Sequence, residues 1–160
     1  MTDQRTVTEQ AVTEQAVTGR VEAERVGIDE LLERVREDLD RIGPREAAEA
    51  ASDGALLVDI RYAALRERDG LIPGALVVER NELEWRLDPQ GSHRAREATS
   101  HDLRVVVICN EGYASSLAAM SLRQLGLHRA TDLVGGFQAW KAEGLPVAAA
   151  GDSVEAGNTA

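Results

Sequence analysis

Residues 105–117 read Val-Val-Val-Ile-Cys-Asn-Glu-Gly-Tyr-Ala-Ser-Ser-Leu, and their reading decides the fold. Four branched or apolar residues in a row suit a strand covered on both faces, as at the centre of a parallel sheet. The next residue is Cys109, followed by a short loop. Ser115 and Ser116 are of the type that caps a helix, Leu117, Met120, Leu122 and Leu125 supply its buried side, and Gly126 ends it. In open parallel sheets, loops leaving the carboxyl ends of strands form the ligand crevice, so the position of Cys109 alone marks it as a candidate.

The same alternation extends outward. Leu56-Leu57-Val58-Asp59-Ile60 and Ala75-Leu76-Val77-Val78 read as two more central parallel strands, and Thr131 to Val134 as a weaker fourth. Ile28, Leu31, Leu32, Val35 and Leu39 recur at three and four, predicting an amphipathic helix over Ile28 to Arg41. Pro44 opens a second helix that runs to Ser52, and Phe137 to Ala142 forms another before Gly144 and Pro146. The pattern predicts an α/β fold, a doubly wound parallel sheet with helices on both faces.

One domain is expected over 28–148. Residues 1–27 carry the repeat Val-Thr-Glu-Gln-Ala without an apolar stripe and read as a disordered acidic tail, and residues 149–160 as a disordered C-terminal tail. A chain of 160 residues is long enough for one core, which must be built from aliphatic residues because aromatics make up only 3%.

The formal net charge is −10, and residues 1–54 hold 14 acids against 7 arginines. That balance disfavours a nucleic-acid partner and gives no support for an anionic membrane. No apolar run approaches the roughly 18 residues of a membrane span. Met1 to Gly27 shows no basic segment followed by an apolar one, and a lone cysteine makes no internal disulfide, so a cytoplasmic, reducing location is expected. His93, His101 and His128 lack ligand spacing, so no metal is expected, and no cofactor.

The loop Cys109-Asn110-Glu111-Gly112-Tyr113-Ala114 leads into the first turn of a helix, whose unpaired amides and roughly half a positive charge favour a thiolate. Gly112 lets the backbone bend so that several amides converge on one point. The bland alternative is a small apolar residue finishing a buried strand. Read from these residues alone, sulfur transfer, phosphate-ester cleavage and arsenate reduction all stay open.

Four motifs in order give the chain a resemblance to the rhodanese family over Arg41 to Val147. Val58-Asp59-Ile60-Arg61 resembles the family's Asp-x-Arg strand end, and Ile72-Pro73-Gly74-Ala75 its turn. Cys109-Asn110-Glu111-Gly112 resembles its active loop, and Gly135-Gly136-Phe137-Gln138-Ala139-Trp140 its closing signature. Arg80 to Pro89 is similar to single-domain rhodaneses of actinobacteria.

The resemblance implies a rhodanese-like fold and a sulfurtransferase that moves a sulfane sulfur from thiosulfate or a persulfide to a thiol or cyanide through a persulfide on Cys109. It implies a loop of Asn110, Glu111, Gly112, Tyr113, Ala114 and Ser115 that cradles this persulfide. A protein persulfide partner is the further candidate. The related phosphatase loops need an arginine six residues after the cysteine, where this chain has Ser115. A dithiol oxidoreductase would need a second cysteine.

Two departures stand out. Ala114 occupies the place of the loop arginine of many thiosulfate-using members, and Leu71 that of a histidine. With Glu111 as the loop's only charge, weak thiosulfate turnover or a neutral or protein-bound donor is expected. Arg80, beyond the Ala75–Val78 strand, is the candidate to guide an anionic substrate. Asp59 and Arg61, two apart at a strand end, are expected to brace the loop from beneath. Trp85 and Trp140 are expected to be packing residues, and Tyr113 to stand at the pocket mouth. The competing reading is a non-enzymatic or slow sulfur-carrier or protein-binding module, with Ile28 to Arg41 as its docking surface.

Overall fold

The computed structural model describes residues 23–151. The expected N-terminal tail lies outside the described residues except for 23–27, and the C-terminal tail except for 149–151. Two compact units divide at Leu31. In the first, the Leu31 amide donates to the Gly27 carbonyl at 3.0 Å, in the first turn of α1 (Ile28–Glu37).

The second unit holds α2 (Pro44–Ser52), β1 (Leu56–Asp59), α3 (Ala63–Asp69), β2 (Leu76–Val77), a 3-10 turn (Arg80–Glu82) and α4 (Leu83–Leu87). It continues with β3 (Val105–Ile108), α5 (Ala114–Gln124), β4 (Ala130–Asp132) and α6 (Gly136–Ala142). The strands form one parallel sheet in the order β2-β1-β3-β4, with Val58 opposite Val107 and Val107 opposite Asp132. Among the described residues no helix is long and apolar enough to cross a membrane.

Period-2 alternation along the central strands divides the core between two faces. Val58, Val105, Val107 and Cys109 pack with Val35 and Leu39, with Leu83 and Leu87 of α4, and with Ala118, Ala119 and Leu122 of α5. Leu57, Val106 and Ile108 pack on the opposite face with Ala47 and Ala50 of α2 and with Phe137 and Trp140 of α6. All four residues of β3 are fully buried, each contributing about 1.5–3 kcal/mol relative to exposure. The expected doubly wound sheet with helices on both faces is present.

Four expectations need correction. The first helix stops at Glu37, four residues short of Arg41, although Leu39 is still buried. The strand expected over Ala75–Val78 lies at the sheet edge, not in its centre, and Val77 is 39% exposed. Ser115 and Ser116 do not cap α5, whose N-cap is Tyr113; both are fully buried. Trp85 is 63% exposed and packs nothing into the core, whereas Trp140 is buried with its indole N–H donating to the Pro146 carbonyl. Beyond α6, Ala148 exchanges two backbone hydrogen bonds of 2.8 Å with Leu71.

Candidate active site

Cys109 leaves β3 at the carboxyl edge of the sheet and is 8% exposed. Its Sγ accepts the Gly112 amide at 3.1 Å and the Ser115 amide at 3.4 Å. Two N–H groups therefore converge on the sulfur, as the loop and the start of α5 predict.

Three of the loop's carbonyls are anchored by groups outside it. The Cys109 carbonyl accepts the Phe137 amide at 2.9 Å and the Asn110 carbonyl accepts the Gln138 amide at 3.1 Å, both from the first turn of α6. The Gly112 carbonyl accepts Arg36 Nη2 at 2.8 Å and Arg41 Nη2 at 2.9 Å. Because a peptide unit is planar and trans, turning this carbonyl toward the arginines points the Tyr113 amide the opposite way.

Two glycines make the approach possible. Gly112 has φ +89°, and a Cβ on it would lie 2.8 Å from the Gly135 nitrogen. Gly136 has φ +61°, and a Cβ on it would lie 2.5 Å from the Cys109 carbonyl oxygen. Both positions are in the left-handed region that side-chain-bearing residues avoid.

Behind the loop lies a buried polar network centred on Asp132, which is fully buried on β4. Its carboxylate accepts Arg41 Nε at 2.9 Å, Ser115 Oγ at 2.7 Å and Ser116 Oγ at 2.8 Å. Arg36 Nε donates to Ser116 Oγ at 3.0 Å, and the Arg36 guanidinium stands 5.8 Å from the centre of the Tyr113 ring. Sequence reasoning missed Arg36, Arg41 and Asp132. The signal available was an acid inside the apolar run Ala-Thr-Asp-Leu-Val, which demands buried partners. The loop has no cation of its own, but two guanidiniums serve it from outside.

A cavity of about 290 Å3 opens over the sulfur, lined by Ile60, Tyr62, Leu65, Tyr113 and Ala114, and also by Arg61, Arg80, Asn110 and Glu111. Tyr113 is 59% exposed at its rim. Gly112 and Ser115 reach the sulfur only through their amides.

Asp59 and Arg61 pair with each other, Nη2 to Oδ2 at 2.7 Å, with both side chains inaccessible. Arg61 also donates to the Gly70 carbonyl and stacks 3.7 Å over the Phe137 ring. Both side chains lie on the Phe137 side of the sheet, away from Cys109, so Arg61 meets the cavity through its backbone and any bracing of the loop runs through Phe137. Arg80 reaches the cavity wall, but Nη1 is held by both oxygens of Glu84 at 2.8 and 3.0 Å.

Gln138 Nε2 bridges Asn110 Oδ1 and Asp69 Oδ2, each at 3.0 Å. The Asp69 carboxyl is held down at about 2, chiefly by the hydrogen bond from Arg68, opposed by desolvation and reinforced by Gln138. Among the described residues no group of side chains is arranged to hold a metal ion.

Residues 43–143 match the family model described as Rhodanese-like domain. A sulfurtransferase of Allochromatium vinosum is 34% identical over 100 residues, covering 62% of this chain and 84% of the relative. The thiosulfate sulfurtransferase GlpE of Actinobacillus pleuropneumoniae is 29% identical over 116 residues, covering 69% and 94%. Among solved structures, a protein of unknown function from Rhodopseudomonas palustris, described as a possible tyrosine phosphatase, is 29% identical with a TM-score of 0.70, covering 79% of this chain and 98% of that one. A thiosulfate sulfurtransferase from Pseudomonas aeruginosa is 28% identical with a TM-score of 0.57, covering 69% and 19%.

Proposed function

This chain belongs to the rhodanese-like domain family, and from that premise we propose that it is a sulfurtransferase whose Cys109 carries sulfane sulfur as a persulfide. The observation that carries this reading is the pair of amides on Sγ at the floor of an open cavity. Fixed N–H donors stabilise an anionic sulfur without reorganising during the reaction.

Cys109 thiolate attacks the outer sulfur of the donor. With thiosulfate the sulfur–sulfur bond breaks and its electron pair leaves on sulfite; with a persulfide it leaves on the donor's thiolate. The acceptor, a thiolate or cyanide, then attacks the outer sulfur of the Cys109 persulfide and releases the Cys109 thiolate. A single thiol suffices, which suits a reducing compartment.

The cavity wall favours a neutral or organic persulfide over thiosulfate. The Arg61 guanidinium is sealed off with Asp59, Arg80 is bound to Glu84, and Glu111 adds a negative charge. Phosphate-ester cleavage is the poorer reading, because position 115 is a serine committed to Asp132 and the nearby Arg36 and Arg41 grip the back of the loop.

The test is mass spectrometry after incubation with thiosulfate or a small persulfide, followed by an acceptor thiol. One added sulfur on Cys109, absent in Cys109→Ser and discharged by the thiol, is expected. No added sulfur from either donor overturns the proposal, and labelling without discharge assigns a storage module instead of an enzyme. Arg80→Ala is expected to leave thiosulfate affinity nearly unchanged, since its charge is already paired; a large loss would make it the guide for the anion.

A further inference from the structure

A second cavity, of about 270 Å3, lies at the opposite edge of the sheet from Cys109. Arg104 precedes β3, Arg123 closes α5, and His128 and Arg129 lead into β4, so the cavity gathers residues from the amino ends of two strands and the carboxyl end of one helix. Three arginines face one acid, Asp40, in a chain whose formal net charge is −10. A positive cavity runs against the charge of the molecule around it.

None of the three guanidiniums forms an ion pair with a carboxylate among the described residues. Their geometry is nevertheless partly fixed. Arg123 Nη1 donates to the His128 carbonyl at 2.7 Å and Arg129 Nη1 to the Asp102 carbonyl at 3.1 Å, leaving the remaining N–H groups of both for another acceptor. This contrasts with Arg41, Arg61, Arg66, Arg68 and Arg80, each of which is matched to a carboxylate.

An independent observation lies in the same wall. Thr131, 4% exposed on β4, lines the cavity, and its hydroxyl is buried with no hydrogen-bond partner among the described residues. Buried hydroxyls are ordinarily satisfied, and this one, in a residue that lines the same cavity as the three arginines, lacks an acceptor. The complement is an oxyanion, whose several acceptor oxygens match guanidinium forks and a hydroxyl together.

We propose that this cavity binds the phosphate or sulfate group of a small molecule, gripped by Arg104, Arg123 and Arg129 and by the Thr131 hydroxyl. Its volume admits a small ester as well as the bare ion, while the surrounding negative charge opposes a nucleic-acid chain. The site is separate from Cys109 and does not depend on the sulfur chemistry proposed above.

Titration calorimetry of the full chain with inorganic phosphate, inorganic sulfate and adenosine monophosphate tests it, with Cys109→Ser as the control for the other cavity. Saturable one-site binding is expected for at least one of the three probes, unchanged in Cys109→Ser and weakened at least about tenfold in Arg104→Ala/Arg129→Ala. Tighter binding of the ester than of both free ions assigns the site to a small-molecule head group, and equal binding assigns it to the ion; both retain the oxyanion site. The near-isosteric Thr131→Val variant, which keeps the packing, is expected to weaken binding about fivefold. Absence of saturable binding by all three probes, or affinity unchanged in both variants, overturns the proposal. So does a set of ligand-induced amide shifts centred on residues 109–115 and not on 129–131.

Discussion

Removing the Asp132 carboxylate tests how the cysteine loop is anchored. In Asp132→Ala, Ser115 Oγ loses its acceptor inside a fully buried residue, and Arg41, 17% exposed, loses its counter-charge. Arg41 keeps the Gly112 carbonyl and Ser116 keeps Arg36, so the loss is partial. Removing one partner of a buried pair costs about 3–5 kcal/mol, and the retained contacts place this variant near the lower bound, about 3 kcal/mol. Against a typical stability of about 5–15 kcal/mol the protein stays folded. The urea midpoint is expected to fall by about 1.5 M with an unchanged slope, and the thermal midpoint by about 10 °C. Asp38→Ala, an exposed carboxylate, is expected to stay within about 0.5 kcal/mol of the parent. A loss below about 1 kcal/mol in Asp132→Ala would refute the reasoning, because it would mean that the serines and Arg41 are satisfied without the carboxylate.

Three more perturbations read other parts of the site. Gly136→Ala forces a side chain into the left-handed region and against the Cys109 carbonyl, so a loss of about 2–4 kcal/mol in thermal unfolding is expected; a midpoint within about 2 °C of the parent would sink this account. Arg36→Ala/Arg41→Ala frees the Gly112 carbonyl, and the rate of Cys109 alkylation is expected to fall at least about tenfold in the folded protein, with Arg41→Lys in place of Arg41→Ala restoring part of it; equal rates would remove both arginines from the positioning role. The Asp69 carboxyl, held at about 2 against an ordinary value near 3.9, contributes stability that is full above about pH 4 and is lost as the pH falls toward 2. Carbon-detected titration is expected to move that midpoint upward in Arg68→Ala, and a parent midpoint near 4 contradicts the contact.

Much of this was legible in the sequence because it is local. Val105–Ile108 announces a buried strand through four branched or apolar residues, Pro44 marks the first turn of α2, and Cys109 follows from the end of its strand. What stayed hidden depends on distant partners. An apolar run such as Ala75–Val78 looks alike at the edge and in the centre of a sheet, and only the order of pairing separates them. Arg36 and Arg41 sit 76 and 71 residues before Gly112, and in a charged helix and the turn after it nothing local separates them from solvated arginines. Ser115 fits the N-cap vocabulary, but Asp132, 17 residues on, takes its hydroxyl. Trp85 misled in the opposite sense, since a helical spacing beside leucine does not fix which way a ring faces.

Because the sulfur is held by main-chain amides, and Asn110 and Tyr113 are tied to Gln138 and Arg36, the side chains at Glu111 and Ala114 are the ones separable from Cys109. Descendants of this sequence can exchange those two wall positions, and so change the size and charge of what the cavity admits, without rebuilding the cradle. Inheritance can keep the reagent and rewrite its clientele.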